Sequence, residues 1–307
     1  MRRLIGLTAV AATAAAFLAA FGLAATDGVG PTTAAPAGAS ATKAALPQLP
    51  REVRQRRRWI IGVKCDAPPF GYIDFRGRNA GFDVDVARWF SRFAFGRPDR
   101  VTFTCAPTPT REPLLTTNRV DLVIATFTYT LDRDTRIDFS RAYFKANGRL
   151  LVRNDSPIRR LSDLAGRTVV TTSASIYDRW VRRCFTNTRL TVLDSFANAL
   201  AAFRDGRADT VMFDDTVLLG IAGTDPNLKL TNDVFLPGPY GIGIRQGNTA
   251  MKRWVDSRLN IMRRRDLFMR LLRAHVPAAN VPFFARSILR PRNTFAYARV
   301  NPDSVCP

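Results

Sequence analysis

Short apolar runs recur along this chain, and most are followed by a polar cluster and a helix start. The runs at 59–64, 101–105, 120–125, 148–152, 168–172, 190–193, 210–213 and 242–244 have the length of strands rather than helices. Between them the apolar spacing changes to the helical period. Residues 81–87 open a helix with Phe82, Val86, Phe90 and Phe93 on one face and Asp83 as its cap candidate. The stretches 111–117, 161–166, 196–204 and 249–274, and the one that opens at Ile176, also read as helical. Strands that alternate with helices build an α/β fold with a mostly parallel sheet. The pattern restarts after Asp155-Ser156-Pro157, so two such units are expected, and 307 residues suffice for two modest domains.

The run 120–125 (VDLVIA) leads into Thr126, Thr128 and Thr130, which strand periodicity puts on one side of the chain. Thr130 is a plausible N-cap, and Arg133 falls in the first turn after it. Hydroxyls, free amides and a guanidinium therefore converge at one strand end. A guanidinium presents a planar fork that matches a carboxylate bidentately, so the segment reads as a seat for a small carboxylate. An ordinary surface arginine in a first turn would give the same letters, so the segment alone does not decide.

Of the 46 basic residues only five are lysine, and the net charge is +21. Residues 1–50 contribute +2 and 51–58 (REVRQRRR) +4, which leaves +15 on the rest. Such a field attracts anions, and an anionic membrane or cell-wall surface is a candidate partner. No zinc-finger or RNA-reader signature and no long basic helix accompanies the charge, so no nucleic-acid partner is expected. Arg2 and Arg3 precede an uncharged stretch, 4–26, that ends at Asp27. Residues 1–26 thus read as a signal peptide or an uncleaved membrane anchor, and 27–50, rich in Ala, Thr, Pro and Gly, as a flexible linker. The chain is then exported, outside the cytoplasmic membrane, where disulfides persist. Three pairings of the four cysteines are open in principle. Cys65–Cys105 is favoured because both fall at carboxyl ends of neighbouring strands; Cys184–Cys306 is favoured with it. The cysteine spacings match no zinc motif, and His275 is the single histidine. No metal and no cofactor are expected.

Six stretches together resemble the bacterial extracellular solute-binding proteins of family 3, the type II periplasmic amino-acid-binding proteins of ABC importers. They are GVKCDAPPFGYIDFRGRNAGFDVDVA, TREPLL, VDLVIATFTYTLDRDTRIDFSRAYF, SDLAGRTVVTTSASI, GRADTVMFDDTVLLG and PYGIGIRQGN, in order across about 59–270. The glutamate/aspartate binders look most similar. The resemblance implies two α/β lobes joined by two hinge-crossing strands, with the ligand between them. Lobe 1 would be 58–146 plus 241–275, lobe 2 147–240, with crossings near 150–155 and 236–241 and a C-terminal extension at 276–307.

Carried over residue by residue, the resemblance makes Arg133 the clamp on the ligand α-carboxylate, assisted by Thr128 and the backbone of Thr126. Ser175 and the amides at Ser175 and Ile176 would add donors from a helix N-terminus. Asp214 would hold the α-ammonium. Arg111, in TREPLL, would meet a side-chain carboxylate, with Lys64 a second candidate and Phe70 a cleft wall. The chain departs from the family pattern in two places. Ala174-Ser175-Ile176 stands where Gly-Ser/Thr-Thr is common, so one hydroxyl is lost. Position 26 is Thr, so there is no lipobox cysteine. The tail beyond His275 has no counterpart in the family and is placed on lobe 2 through Cys184. Were Cys306 to bridge to Cys65 or Cys105, Cys184 would need another partner.

The function so implied is capture of a polar amino acid, glutamate or aspartate first and glutamine or asparagine next, by a monomer that docks on the membrane permease of an ABC transporter. A membrane-tethered amino-acid-sensing module would use the same cleft. A dehydratase-like enzyme on this fold is a third reading, disfavoured because no acid/base cluster accompanies the ammonium-binding aspartate.

Overall fold

The structure is a computed structural model that describes residues 45–297 and 301–307. The signal or anchor reading of 1–26 and most of the linker, 27–44, lie outside these residues. The linker does not run to 50 as a free segment. Pro50 is buried and leads into the helix Arg51–Arg56, because Val53 and Leu49 pack onto the core.

Two sheets organise the chain. In the first, the strands Val101–Cys105, Trp59–Val63 and Leu122–Ile124 lie side by side and parallel. Gly243–Arg245 returns antiparallel beside Leu122–Ile124, and Ile137–Phe139 completes the edge. The second sheet repeats the plan. Arg189–Leu193, Thr168–Thr172 and Thr210–Asp214 are parallel, Phe144–Arg153 runs antiparallel beside them, and Leu228–Leu230 forms the edge. The inner strands Trp59–Val63, Leu122–Ile124 and Thr210–Asp214 are almost wholly buried, which is why they are the most apolar runs, whereas Val101–Cys105 and Arg189–Leu193 at the sheet edges stay part-exposed and carry polar residues. Residues 65–80 form a small meander of the strands Asp66–Ala67, Gly71–Ile73 and Asn79–Ala80.

The two sheets are joined by Phe144–Arg153 and Phe235–Tyr240, which pair antiparallel from Phe144 opposite Tyr240 to Gly148 opposite Phe235. The first crossing therefore lies at 144–148, earlier than the 150–155 expected. Leu150 and Leu151 are already inside the second sheet, opposite Met212 and Val211, where their apolar side chains are fully buried. Aromatic side chains fill the crossing. Phe70 packs edge-on to Phe144 at 4.9 Å and to Tyr240 at 5.7 Å between ring centroids.

The helix Phe82–Phe95 lays Phe82, Val86 and Phe90 on the first sheet. Its N-cap is Gly81, not Asp83, because the Asp83 carboxylate is turned inward to Thr126 and Tyr143. The helical stretch 249–274 breaks at Asp266, whose φ is 49°, into Thr249–Arg264 and Leu267–Arg273. On the first of these helices Trp254 is sandwiched between Trp59 at 5.1 Å and Phe90 at 5.5 Å. Truncating so large a buried ring would cost about 3–5 kcal/mol. The pairs Cys65–Cys105 and Cys184–Cys306 are both bonded. The C-terminal extension does not lie on lobe 2 alone. Phe284 packs against Phe70, and Ser287 O accepts from Lys145 N, so most of it covers lobe 1 and the crossing.

Candidate functional site

The carboxyl ends of two first-sheet strands, Val101–Cys105 and Leu122–Ile124, meet those of two second-sheet strands, Thr168–Thr172 and Thr210–Asp214, which is where open α/β sheets bind ligands. Thr130 caps the short helix Leu131–Asp134, its hydroxyl accepting from Arg133 N at 3.2 Å. That cap turns the Arg133 side chain back over the strand end. Its Nη1 donates to Thr128 O at 2.7 Å, and its Nη2 reaches Ala174 O on the other lobe at 2.8 Å. Nε lies 3.3 Å from Glu112 Oε1 without the alignment of a hydrogen bond. Arg133 is only 1% exposed. Burial, with the Arg111 and Arg179 charges, pulls its pKa down to about 9. A buried cation so poorly neutralised attracts an anion.

Arg111 is held just as firmly. It donates to Thr108 O at 3.1 Å and, through Nη1, to Ala125 O at 3.2 Å and Thr126 O at 2.9 Å. Both guanidiniums lie over the Phe127 ring, at 4.6 Å for Arg111 and 5.2 Å for Arg133. Phe127 is the residue between the two cleft threonines and points to the other side of the same strand end. It is a part of the site that the threonine pattern did not reveal.

Thr126 was expected to offer its backbone to the ligand, but that backbone is occupied. Its N–H donates to Asp83 Oδ2 at 2.8 Å and its carbonyl accepts from Arg111. The Thr126 hydroxyl is instead buried without a hydrogen-bond partner among the described residues. Asp83 also accepts from Tyr143 Oη at 2.8 Å, and burial raises its pKa to about 7. Thr126 and, on the other lobe, Ala174 have φ of 46° and 56°, a left-handed conformation that non-glycine residues seldom adopt. Such strain collects at binding sites, and glycine, common at position 174 in the family pattern, would carry it without cost.

From the second lobe, Asp214 ends the strand Thr210–Asp214 with both carboxylate oxygens engaged, Oδ1 by Tyr177 Oη and Oδ2 by Tyr240 Oη, each at 2.6 Å. Burial raises its pKa, opposed by the two phenols and then by Arg111 and Lys64. A carboxylate has about four acceptor positions, so two remain for a further donor. Ser175 caps the helix Ile176–Cys184, accepting from Asp178 N at 3.1 Å.

These side chains enclose a cavity of only about 10 Å³, lined by Thr108, Arg111, Thr126, Thr128, Arg133, Ser175, Ile176, Tyr177, Phe213 and Asp214. That is room for about one water, so a larger ligand enters only when the lobes part. A larger cavity of about 500 Å³ lies between the Thr249–Arg264 helix and residues 289–297, lined by Lys252, Asp256, Leu259 and Tyr297 among others. None of the convergent charges reaches it, so the chemistry belongs to the small cavity.

Seven of the nine ligand residues expected from sequence line that cavity. Lys64 does not, because its ammonium is paired with Asp66 at 3.0 Å and donates to Thr108 Oγ1 at 3.2 Å. Burial lowers its pKa. Phe70 does not, because its ring is buried in the aromatic core of the crossing. Thr108, Tyr177 and Phe213 line the cavity without having been singled out. Tyr177, two residues past Ser175 on the same helix, was the most findable.

The model of the bacterial extracellular solute-binding proteins, family 3, matches residues 59–277. The chain belongs to this family. Among curated family relatives, the glutamine-binding protein of Geobacillus stearothermophilus is 32% identical over 194 residues, 62% of this chain and 74% of that one. A glutamine-binding protein of Bacillus subtilis is 29% identical over 213 residues, 69% of this chain and 78% of that one. Among solved structures, the cysteine-binding protein of Campylobacter jejuni superimposes with a TM-score of 0.72 at 26% identity, covering 74% of this chain and 92% of that one. The two-lobed fold is thus the family's, and family 3 proteins are binding proteins, not enzymes.

Proposed function

We propose that this chain captures a polar α-amino acid outside the cytoplasmic membrane and delivers it to an ABC-type importer. One observation carries the reading: Arg133 of one lobe and Asp214 of the other face a single cavity. A zwitterion placed between them has its carboxylate on the guanidinium and its ammonium on the carboxylate. It bridges the lobes only when they close. The amino-acid binders among the relatives support the class of ligand.

Charge separates the candidates further. With Arg133 and Asp214 matched by the zwitterion and Lys64 by Asp66, Arg111 is the cation of the cavity wall that is left over. An acidic side chain neutralises it, which favours glutamate or aspartate. Glutamine is the second reading, supported by the names of the two glutamine-binding relatives. Titration calorimetry with glutamate, aspartate, glutamine, arginine and cystine tests both. Heat from one of them with a 1:1 endpoint upholds capture, and glutamate binding more tightly than glutamine upholds the acidic reading. Heat from none would defeat the proposal.

A further inference from the structure

The C-terminal segment touches both lobes at the edge of the cleft. Tyr297 stacks on Tyr129 of lobe 1 with centroids 3.9 Å apart and donates to Ser140 O at 2.5 Å. Residues 303–306 are fixed to lobe 2. Cys306 is bonded to Cys184, and the Trp180 indole donates to Val305 O at 2.7 Å.

Asn301 and Asp303 lie between these anchors in sequence. Asn301 Oδ1 accepts from the backbone N–H of Asp132 at 3.1 Å, on the helix that carries Arg133. Asp303 accepts from Arg179 Nε at 2.5 Å, on the helix that Ser175 caps. Arg179 in turn lies 3.7 Å from Asp132 Oδ2. Asp132 of lobe 1, Arg179 of lobe 2 and Asp303 of the tail thus form a row of charges across the seam that Arg133 and Ala174 close from inside. Asp303 is 8% exposed and its partner Arg179 39%, so the pair is partly screened by solvent. The reach of the tail is short as well. Five residues lie between Tyr297 and Asp303, six steps along the chain, at most about 20 Å of extended chain. Lobe separation beyond that at this edge must release the Tyr297 stack or the Asp303 pair, because Cys306 cannot leave.

We propose that Asn301 and Asp303 are positioning residues for ligand capture: they hold the Arg133 helix against the Arg179 helix and slow the release of bound amino acid. The effect on release rests on the function proposed above; the hold on the lobes does not. Neither residue touches the cavity, so the effect falls on opening rather than on ligand contacts. The test compares the unaltered full chain with Asp303→Asn, Asp303→Glu and the pair Cys184→Ser with Cys306→Ser. Stopped-flow rates are measured for the amino acid that calorimetry identifies, and small-angle scattering is recorded without it.

For Asp303→Asn the dissociation rate is expected to rise about tenfold with the association rate within about twofold, since changes at one interface act mostly on release. The radius of gyration of the amino-acid-free protein should grow, and Asp303→Glu should restore both. Freeing the tail with the two serines should act at least as strongly. An unchanged dissociation rate and an unchanged radius for Asp303→Asn would overturn the proposal. Asn301→Ala, which removes one acceptor, supplies the same comparison should Asp303→Asn fail to fold. If no amino acid binds the unaltered protein, the function reading fails, and scattering still decides whether the tail holds the lobes together.

Discussion

The two lobes share a strand plan and differ in charge. Residues 58–146 and 241–275 carry 23 Lys and Arg against 12 Asp and Glu, a net +11, whereas 147–240 carry 12 against 10, a net +2. The same division appears inside the cleft. Lobe 1 brings buried guanidiniums stacked on Phe127, and lobe 2 brings a buried carboxylate held by two phenols and a capped helix N-terminus. Neither lobe alone presents an α-amino-acid site. On the function proposed above, a zwitterion carrying both signs bridges the two halves, so recognition and closure are one event.

Removing either half should therefore cost nearly everything. Arg133→Ala or Asp214→Asn is expected to weaken amino-acid binding by about 10²–10³-fold, since each leaves a buried charge of the ligand unpaired at about 3–5 kcal/mol. The double variant should lose far less than the sum, because the second change acts on a bridge already broken. Calorimetry on the two singles and the double decides this; additive losses would mean that the lobes recognise independently. Asp214 also sets a pH limit. Its pKa is raised by burial, so affinity should begin to fall at a higher pH than an ordinary carboxylate would dictate. Affinity that stays flat into the ordinary carboxylate range would contradict that.

Lobe 1 has its own buried carboxylate, with a different task. Asp83 braces the strand end by accepting from Thr126 N and Tyr143 Oη, and its pKa stands at about 7. The folded form then holds a proton that the unfolded chain gives up near 3.8. Stability is fully present below the unfolded value and is lost as pH rises through about 7, a change of at most about 4 kcal/mol. Melting temperature should fall between about pH 4 and pH 7 and level off above, and Asp83→Asn should flatten that slope. An equal slope in the variant would show that another group titrates.

Arg111 sharpens the comparison within lobe 1. Arg111→Met should reduce glutamate affinity about 10–100-fold while changing glutamine affinity several-fold less, because only the acidic ligand loses a charge partner. Equal losses would mean that Arg111 supports Phe127 and the Thr126 carbonyl and nothing more.

Much of the fold was legible because buried parallel strands announce themselves as apolar runs, and much of the site because its residues sit where those runs end. Thr128 and Ser175 follow a strand by a few positions, Asp214 ends one, and Arg133 lies in the helix that follows Leu122–Ile124. What was not legible depends on partners far away in sequence. Asp83 has the local pattern of a cap, yet Thr126, 43 residues on, claims its carboxylate. Phe70 lies in a loop whose path is fixed by rings at 144, 240 and 284, so its burial in the core could not be read locally. Tyr177 and Tyr240 meet only through Asp214. The tail has no period to read, since its core side chains, Phe284, Ile288 and Leu289, fall in short irregular segments and a disulfide holds its end.

Ser175 gives the smallest expected effect and the finest test of the contrast. Its hydroxyl caps the Ile176–Cys184 helix and lies 3.4 Å from Thr171 Oγ1 at the cavity wall. Ser175→Ala should remove the cap at about 1 kcal/mol of stability, and Ser175→Thr should restore most of it. If lobe 2 contributes helix amides as well as Asp214, binding should weaken only about two- to fivefold in Ser175→Ala, because the amides remain while their positioning loosens. A binding loss as large as that of Asp214→Asn would mean that the hydroxyl itself carries recognition, and lobe 2 would then have two anchors where charge balance needs one.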